Sequence, residues 1–228
     1  MIEFQGWPKT PRLFRDMIVT EKIDGTNSAV IIEEAQGDLN IALENVPAGA
    51  KAVVTTGTGA PDFEGSSVFF VAAQSRKRLI TPGKTTDNHG FAQWVHENAA
   101  HLVDILAPGR HFGEWWGSGI QRGYGLRNGD KRFSLFNVNR YAEVLKPAED
   151  IFRTRALMPE LDTVPILYRG PFTNLSVKAT LIDLRLTGSH AAPGFMNPEG
   201  VVVFHEAAGQ VFKATLENDE APKGLMAA

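Results

Sequence analysis

The sequence predicts an α+β fold built from antiparallel β-sheets with flanking helices. Short β-branched and apolar runs dominate the first third of the chain, and turn-forming residues separate them. Two later segments with helical spacing alternate with further strand-like runs, so the predicted order is strands, helix, strands, helix, strands. That order favours antiparallel sheets over a doubly wound parallel sheet.

The first strands are predicted at residues 17–20, 29–32 and 40–43, separated by Asp24-Gly25 and Gly37-Asp38 as in an antiparallel meander. Residues 46–67 are rich in Gly, Ala, Thr and Pro, which predicts a loop or a weak hairpin. A strand then follows at residues 67–71.

A helix is predicted from residue 91 to residue 106, where Pro108-Gly109 ends it. Its apolar positions fall near one face: Phe91, Trp94, Val95, Leu102, Ile105 and Leu106. Residues 110–116 and 132–139 are predicted strands on either side of a Gly-rich turn, residues 117–129.

The second predicted helix begins at Thr173 or Asn174, runs to about Leu186 and ends at Gly188. Its predicted inward positions are Leu175, Ala179, Ile182 and Leu186. Residues 200–204 and 210–213 form the final predicted hairpin. We expect the 228 residues to form one domain.

The composition excludes several classes of protein. The absence of cysteine removes disulfides and cysteine zinc sites, and no apolar run reaches the length of a membrane span. The N-terminus has no secretory signal pattern, which predicts an intracellular, cytoplasmic location. A net charge of −3 gives no global attraction to polyanions, so any nucleic-acid contact requires a local basic patch.

Lys22 is the first candidate for chemistry, because Lys22-Ile23-Asp24-Gly25 presents a cation where a strand enters a turn. A lysine attacks phosphorus only as the free amine, which is scarce at neutral pH at an ordinary pKa of about 10.4. Nearby cations or burial must therefore favour the amine. Taken alone, the pattern is more typical of a solvated lysine before a turn.

The order of further motifs changes that interpretation. The motifs follow one another as 21–27 (Glu-Lys-Ile-Asp-Gly-Thr-Asn), 75–76 (Ser-Arg), 112–117 (Phe-Gly-Glu-Trp-Trp-Gly), 133–136 (Phe-Ser-Leu-Phe), 199–202 (Glu-Gly-Val-Val) and 211–213 (Val-Phe-Lys). The ordered set resembles the covalent nucleotidyltransferases, namely DNA ligases, RNA ligases and mRNA capping enzymes, over about residues 17–215. The resemblance implies antiparallel sheets and helices that form a nucleotide-binding cleft.

Within these enzymes the chain looks most like ATP-dependent RNA ligases of the phage RNA ligase 2 type. Asn27 stands where capping enzymes usually have arginine, and Gly119-Ile120-Gln121 follows the glutamate motif as in that group. The length leaves no room for an appended OB-fold, which argues against an ordinary DNA ligase, so residues 1–228 are expected to be a single adenylyltransferase domain. A DNA nick ligase, a capping guanylyltransferase and a nucleotide- or RNA-end-binding module without turnover stay open as alternatives.

The resemblance implies ATP, a covalent AMP on Lys22 and Mg²⁺ or Mn²⁺ as cofactors. Glu199 would orient the metal or its waters, and Lys213 would neutralise the α-phosphate and help to lower the pKa of Lys22. Thr215 stands where related ligases often have a second lysine, so a different cation is needed if Lys213 does not suffice. The implied partners are RNA ends with a 5′-phosphate and a 3′-hydroxyl, with DNA also allowed, bound by a monomer; a phage origin is consistent with the resemblance.

The resemblance also implies a set of nucleotide contacts. Glu114 would hold the ribose hydroxyls, Arg76 would contact ribose or phosphate with Arg78 as the fallback, and Phe136 rather than Phe133 would stack on adenine. The complete set is Glu21, Lys22, Asp24, Gly25, Asn27, Arg76, Glu114, Phe136, Glu199 and Lys213.

A basic cluster around the Gly-rich turn is the predicted nucleic-acid contact. It comprises Arg122, Arg127, Lys131 and Arg132, with Trp115, Trp116 or Tyr124 available for base stacking. A solvated turn that happens to be basic explains the same residues equally well.

Overall fold

A computed structural model describes residues 1–55, 66–145 and 158–217. The strands within these ranges are β1 (Asp16–Lys22), β2 (Thr26–Glu34), β3 (Lys51–Thr55), β4 (Ser67–Ser75), β5 (Leu79–Ile80), β6 (Gly109–Gly117), β7 (Lys131–Leu135), β8 (Leu161–Thr163), β9 (Ile166–Pro171), β10 (Gly200–His205) and β11 (Gln210–Thr215). The α-helices are α1 (Leu39–Glu44), α2 (Phe91–Glu97), α3 (Ala99–Ile105), α4 (Val138–Tyr141) and α5 (Asn174–Thr187). The predicted α+β class with antiparallel sheets is confirmed.

The chain divides into two compact units, and the first division falls inside the lysine motif. The terminal unit comprises Met1–Ile23 and Val164–Ala228, and the middle unit comprises Asp24–Thr163. The prediction that residues 1–228 form one adenylyltransferase domain stays a prediction.

The terminal unit has a four-stranded antiparallel sheet in the order β11-β10-β1-β9. Helix α5 covers one face of it, where Leu184 packs with Met17, Val19, Val201 and Val203. Removing this apolar face from water holds the helix on the sheet.

The middle unit has a larger sheet in the order β3-β4-β2-β6-β7-β8, with β5 beside β4. Every pairing except that of β7 with β8 is antiparallel. Aromatic side chains from α2, β6 and β7 fill its core, and the ring centroids of Phe91 and Phe133 lie 4.9 Å apart. This packing holds β6 and β7, which carry several of the predicted site residues.

Three element predictions are wrong. Residues 40–43 belong to α1 and not to a strand, because the Asp38 side chain accepts hydrogen bonds from the backbone N–H groups of Asn40 and Ile41 and caps a helix. The predicted helix 91–106 is interrupted at Asn98, whose side chain donates to the Trp94 carbonyl oxygen. The predicted strand 132–139 ends at Leu135, since Asn137 caps α4.

Helix α5 is confirmed, with Thr173 as its N-cap and Gly188 as its C-cap, but its predicted inward face is wrong. Leu175, Ile182 and Leu186 are exposed, and the inward positions are Val177, Leu181 and Leu184. Sequence spacing identifies more than one apolar stripe on this helix, and packing against the sheet selects between them. The final hairpin of β10 and β11 is confirmed. In the predicted loop or weak hairpin 46–67, residues 51–55 form β3, whereas residues 56–65 lie outside the described residues.

His111 provides a pH-dependent term in the stability of the middle unit. It is fully buried in β6, where its Nε2–H donates to the Ala107 carbonyl oxygen and its Nδ1 accepts from the Tyr141 hydroxyl, both at 2.8 Å. Burial lowers the pKa of His111 to about 4, against the opposing effect of the Ala107 hydrogen bond and with a smaller contribution from the charge of Arg140. The folded protein therefore keeps this imidazole neutral where an unfolded chain takes up a proton.

We expect the free energy of unfolding to fall as pH decreases from about 6.5 to 4, because only the unfolded chain binds the proton there, at a cost of up to about 3 kcal/mol. Urea unfolding at several pH values, on wild type and His111→Phe, measures this. The variant should be less stable at pH 7 and should lose less stability on acidification. Equal pH slopes for the two proteins would contradict the prediction.

Candidate active site

Lys22 and Glu199 form an ion pair in the terminal unit. Lys22 is the last residue of β1 and pairs with Gly200, the first residue of β10, which brings Glu199 beside the lysine. The Nζ atom of Lys22 contacts Oε2 of Glu199, and both side chains are about one-fifth exposed. The structure thus joins two residues that lie far apart in sequence and were predicted to act together.

Gly200 is required where these strands meet. Its φ is +155°, and a Cβ there would lie 2.3 Å from the carbonyl oxygen of Ala214 on β11. A side chain would push β11 away from β10 at the level of Lys22.

Lys213 lies on the same sheet face as Lys22, but on the second strand away. Residues that pair across antiparallel strands lie on the same face of the sheet. Thr20 pairs with Val202 and Val202 pairs with Lys213, so Lys213 lies on the face of Lys22, two residues along the strands. Two strand spacings already separate the backbones by roughly 10 Å. Glu199 contacts Lys22 Nζ directly, and the predicted action of Lys213 on Lys22 stays a prediction.

Thr215 is level with Gly200 and Lys22 on this face, and its hydroxyl donates to the carbonyl oxygen of Glu217 at 2.8 Å. The position where related ligases often have a second lysine therefore presents a short neutral group. A phosphate bound at this level would need another cation, and Lys213 is the candidate on the same strand.

Glu21 was predicted to contact the nucleotide, and in the structure its side chain contacts the segment after α5. It is 1% exposed and projects to the helix-covered face, opposite to that of Lys22. Its carboxylate accepts from Ser189 Oγ at 2.6 Å and from the N–H groups of His190 and Ala191 at 2.8 and 2.9 Å. Glu21 thus anchors the segment after α5, a partnership that no sequence pattern indicated.

The turn of the lysine motif is held by hydrogen bonds inside the middle unit. The N–H of Asp24 donates to the Tyr124 hydroxyl at 2.9 Å, and the Asp24 carboxylate accepts from Arg122 Nε at 3.2 Å. The N–H of Gly25 donates to Glu114 Oε1 at 3.2 Å. Asp24, Gly25 and Glu114 were predicted site residues, and the structure brings these three together.

Tyr124 of the Gly-rich turn was named only as a candidate for base stacking, and its contact with the lysine motif was not predicted. It is 2% exposed and has a φ of +49°, a left-handed conformation that costs roughly 1–3 kcal/mol in a residue other than glycine. Its ring packs edge-on against Trp116, with centroids 5.3 Å apart, and its hydroxyl contacts Asp24. These contacts offset the strain, but a tyrosine in a Gly-rich turn carries no signal of them.

The other predicted nucleotide contacts lie on neighbouring strands of the middle unit. Asn27 on β2 lies directly opposite Glu114 on β6, and Ser28 lies opposite Ser75, which Arg76 follows immediately. Asn27, Glu114 and Arg76 therefore occupy the same end of three adjacent strands.

Of the two candidates for adenine stacking, Phe133 is fully buried in the core and Phe136 is 40% exposed. Phe136 follows the end of β7, where its N–H donates to the carbonyl oxygen of Phe112. Only Phe136 of this pair is accessible to a ligand, so the choice between them is supported by burial. Its contact with adenine stays a prediction.

The predicted nucleic-acid cluster is partly engaged in contacts within the protein. Arg122 pairs with Asp24, and Lys131 donates to the His89 carbonyl oxygen at 2.7 Å. Arg132 lies over the Trp116 ring and 3.9 Å from Asp130, while Arg127 is exposed.

The aromatic side chains of that region do not fit the suggested role in base stacking. Trp115, Trp116 and Tyr124 are 3%, 1% and 2% exposed, so their rings pack inside the protein. A nucleic acid bound at this turn would meet its cations but not these rings.

A divalent metal would have a limited protein ligand set. Among the described residues, no group of three or more histidine or acidic side chains is arranged to hold a metal. Glu199 fits an ion that is bound chiefly through substrate phosphates, since Mg²⁺ commonly uses one or two carboxylates together with phosphates and water.

Among the described residues, no helix has the length and apolar character of a membrane span.

A nucleophile candidate lies at a strand end, with a carboxylate in contact and a lysine on the same sheet face, which is the arrangement predicted for a covalent nucleotidyltransferase. The RNA ligase family model matches residues 15–215, and the chain belongs to that family. The predicted family is thereby confirmed. A comparison with curated protein sequences finds no match.

Solved structures of RNA ligase from Naegleria gruberi share the fold. A variant with ATP and manganese is 14% identical with a TM-score of 0.52, over 90% of this chain and 51% of that one. A variant with AMP and manganese is 17% identical with a TM-score of 0.50, over 89% and 50%. The chain thus spans about half the length of these structures.

Proposed function

We propose that this chain is an ATP-dependent polynucleotide ligase that joins RNA ends through a covalent lysyl-AMP at Lys22. The observation that supports this most strongly is the Lys22–Glu199 pair at the junction of β1 and β10, in a chain of the RNA ligase family. The Naegleria structures with ATP or AMP and manganese support ATP and a divalent metal as cofactors.

In the proposed reaction, the Lys22 amine attacks the α-phosphorus of ATP, so a nitrogen–phosphorus bond forms and pyrophosphate leaves. A 5′-phosphate end then takes the AMP and frees the lysine. A 3′-hydroxyl attacks the activated end, forming the phosphodiester and releasing AMP. Because an ammonium group cannot attack, the Lys22–Glu199 pair must open and Nζ must lose a proton before the first step.

The side chains would act mainly by positioning and by balancing charge, which dominate phosphoryl transfer. Glu199 would hold the metal, whose charge stabilises the phosphates, and Lys213 would contact the α-phosphate. In the middle unit, Glu114 would accept from the ribose hydroxyls, with Asn27 and Arg76 beside it. A cytoplasmic location and a monomeric state belong to the same proposal.

Matched nicked substrates test the proposed function. The protein is incubated with ATP and Mg²⁺ or Mn²⁺ on nicks of identical sequence in RNA and in DNA, and label transfer to protein is compared between α-labelled ATP and GTP. We expect label from ATP and faster sealing of RNA. Faster sealing of DNA would favour a DNA nick ligase. Label from GTP alone would favour a guanylyltransferase, and the absence of label would favour a binding module. Each of these results would overturn the proposal.

Glu199→Gln should slow AMP transfer by about 10²-fold, because it removes a charge from the reacting centre while keeping the side-chain size. The loss should be partly recovered at high metal concentration if the carboxylate supports the metal. Initial rates over a range of Mg²⁺ concentrations measure both effects. Glu206→Gln, an exposed change in the turn of the same hairpin, is the control. A Glu199→Gln rate within a factor of about two of wild type at all concentrations would contradict the role.

A further inference from the structure

Near its N-terminus the chain has an exposed aromatic and basic arm, defined here as residues 7–15 (Trp-Pro-Lys-Thr-Pro-Arg-Leu-Phe-Arg). Every residue of this arm is exposed, and Trp7 and Phe14 are 91% and 76% exposed. Exposed apolar side chains that are grouped together mark an interaction surface, whereas apolar residues scattered singly do not. The family match begins at residue 15, the last residue of the arm, so the family resemblance does not account for residues 7–14.

The charge of the arm differs from that of the whole chain. Lys9, Arg12 and Arg15 give it three cations and no acidic residue, whereas the complete chain has a net charge of −3. This is a local basic patch of the kind that an acidic protein needs in order to bind a polyanion.

The arm also has a sequence suited to an extended conformation. Pro8 and Pro11 favour a polyproline II helix, which has three residues per turn and rises about 3.1 Å per residue. Lys9 and Arg12 then fall on one side, about 9 Å apart. The backbone turns at residues 13–15, at the base of the arm. Cations spaced in this way can contact phosphates of a single strand, while exposed rings stack on its bases.

The base of the arm is fixed to the sheet of the terminal unit. The Leu13 carbonyl oxygen accepts from His205 Nε2 at 2.6 Å, and the Arg15 carbonyl oxygen accepts from the Phe172 N–H at 2.8 Å. The arm thus leaves from the start of β1, whereas Lys22 is at its end, about 20 Å away along the strand.

We propose that this arm is a binding site for a single-stranded segment of the RNA substrate, several nucleotides from the reacting end. Lys9, Arg12 and Arg15 contact phosphates, and Trp7 and Phe14 stack on bases. The inference rests on the proposed function for the identity of the polymer. It supplies the accessible aromatic groups that the buried rings of the Gly-rich turn do not offer.

The test compares the full chain with two variants, Lys9→Gln/Arg12→Gln/Arg15→Gln and Trp7→Ala/Phe14→Ala. Binding of a labelled single-stranded RNA, long enough to reach from the arm to Lys22, is measured by anisotropy at several salt concentrations. The charge variant should bind more weakly, with a log–log salt slope shallower by about 2. The aromatic variant should lose at least about tenfold in affinity at an unchanged slope.

The control variant removes three exposed cations elsewhere, by Lys84→Gln, Arg110→Gln and Lys178→Gln. It should lose less affinity for the long RNA than the charge variant of the arm, and its salt slope should change less. Both arm variants should also bind a short oligonucleotide, limited to the reacting end, as wild type does. Equal affinities of wild type and the arm variants for the long RNA would overturn the proposal. Tighter binding of the wild-type protein to anionic vesicles than to the long RNA would also overturn it.

AMP transfer from ATP without any polymer separates this inference from the proposed function. The arm variants should become adenylylated at the wild-type rate, because the arm is remote from Lys22 along β1. If wild type takes up no AMP, the ligase proposal fails while the RNA-binding comparison still decides the role of the arm. Equal melting temperatures establish that the variants are folded.

Discussion

Replacing Lys22 with alanine is expected to abolish AMP transfer from ATP to the protein. The substitution removes the only atom of this side chain that can attack phosphorus. Among the described residues, no other lysine forms an ion pair with Glu199. Incubation with α-labelled ATP and Mg²⁺, followed by denaturing electrophoresis, measures the covalent product. Mass spectrometry of wild type should locate the added AMP on Lys22.

Two controls separate the loss of the nucleophile from the loss of the site. Lys22→Arg keeps the positive charge and should also fail to form the adduct. Both variants should retain some sealing of RNA whose 5′ end already carries AMP, because that step does not use the lysine as nucleophile. Labelling of Lys22→Ala at the wild-type level would end the assignment of Lys22.

Gly25→Ala is expected to disable the lysine motif by a steric effect. A Cβ at this position would lie 2.4 Å from the Trp115 carbonyl oxygen and 2.8 Å from Trp116 Cβ. The first is a backbone atom of β6, and the second is bonded directly to the backbone of the same strand. These atoms cannot move without displacing the strand that carries Glu114. We expect a loss of about 1–3 kcal/mol in unfolding free energy and about 10²-fold in AMP transfer.

Urea unfolding and initial adenylylation rates measure the two losses for Gly25→Ala. Gly6→Ala is the matched control, because its Cβ would meet only Phe4 at ordinary van der Waals distances, the nearest being 3.7 Å. It should resemble wild type in both measurements. A Gly25→Ala protein with normal stability and rate would show that the turn can open without consequence.

The strands that hold the lysine and the glutamate motifs were predictable, because β-branched runs and turn residues are local signals. The capped helix at residues 39–44 was not predicted, since its apolar run also suits a strand and only the Asp38 cap decides between them. The inward face of α5 was also missed. Its burial depends on the sheet beneath it, which local spacing does not encode.

For the candidate site, the sequence by itself determined the candidate nucleophile, the order of the motifs and the family, since short motifs in a fixed order are properties of the chain. The tertiary structure alone decided which side chains meet. It paired Lys22 with Glu199, turned Glu21 toward Ser189 and buried Tyr124 beside Asp24. Strand register and side-chain alternation set these partnerships, and both are established only when distant segments pair.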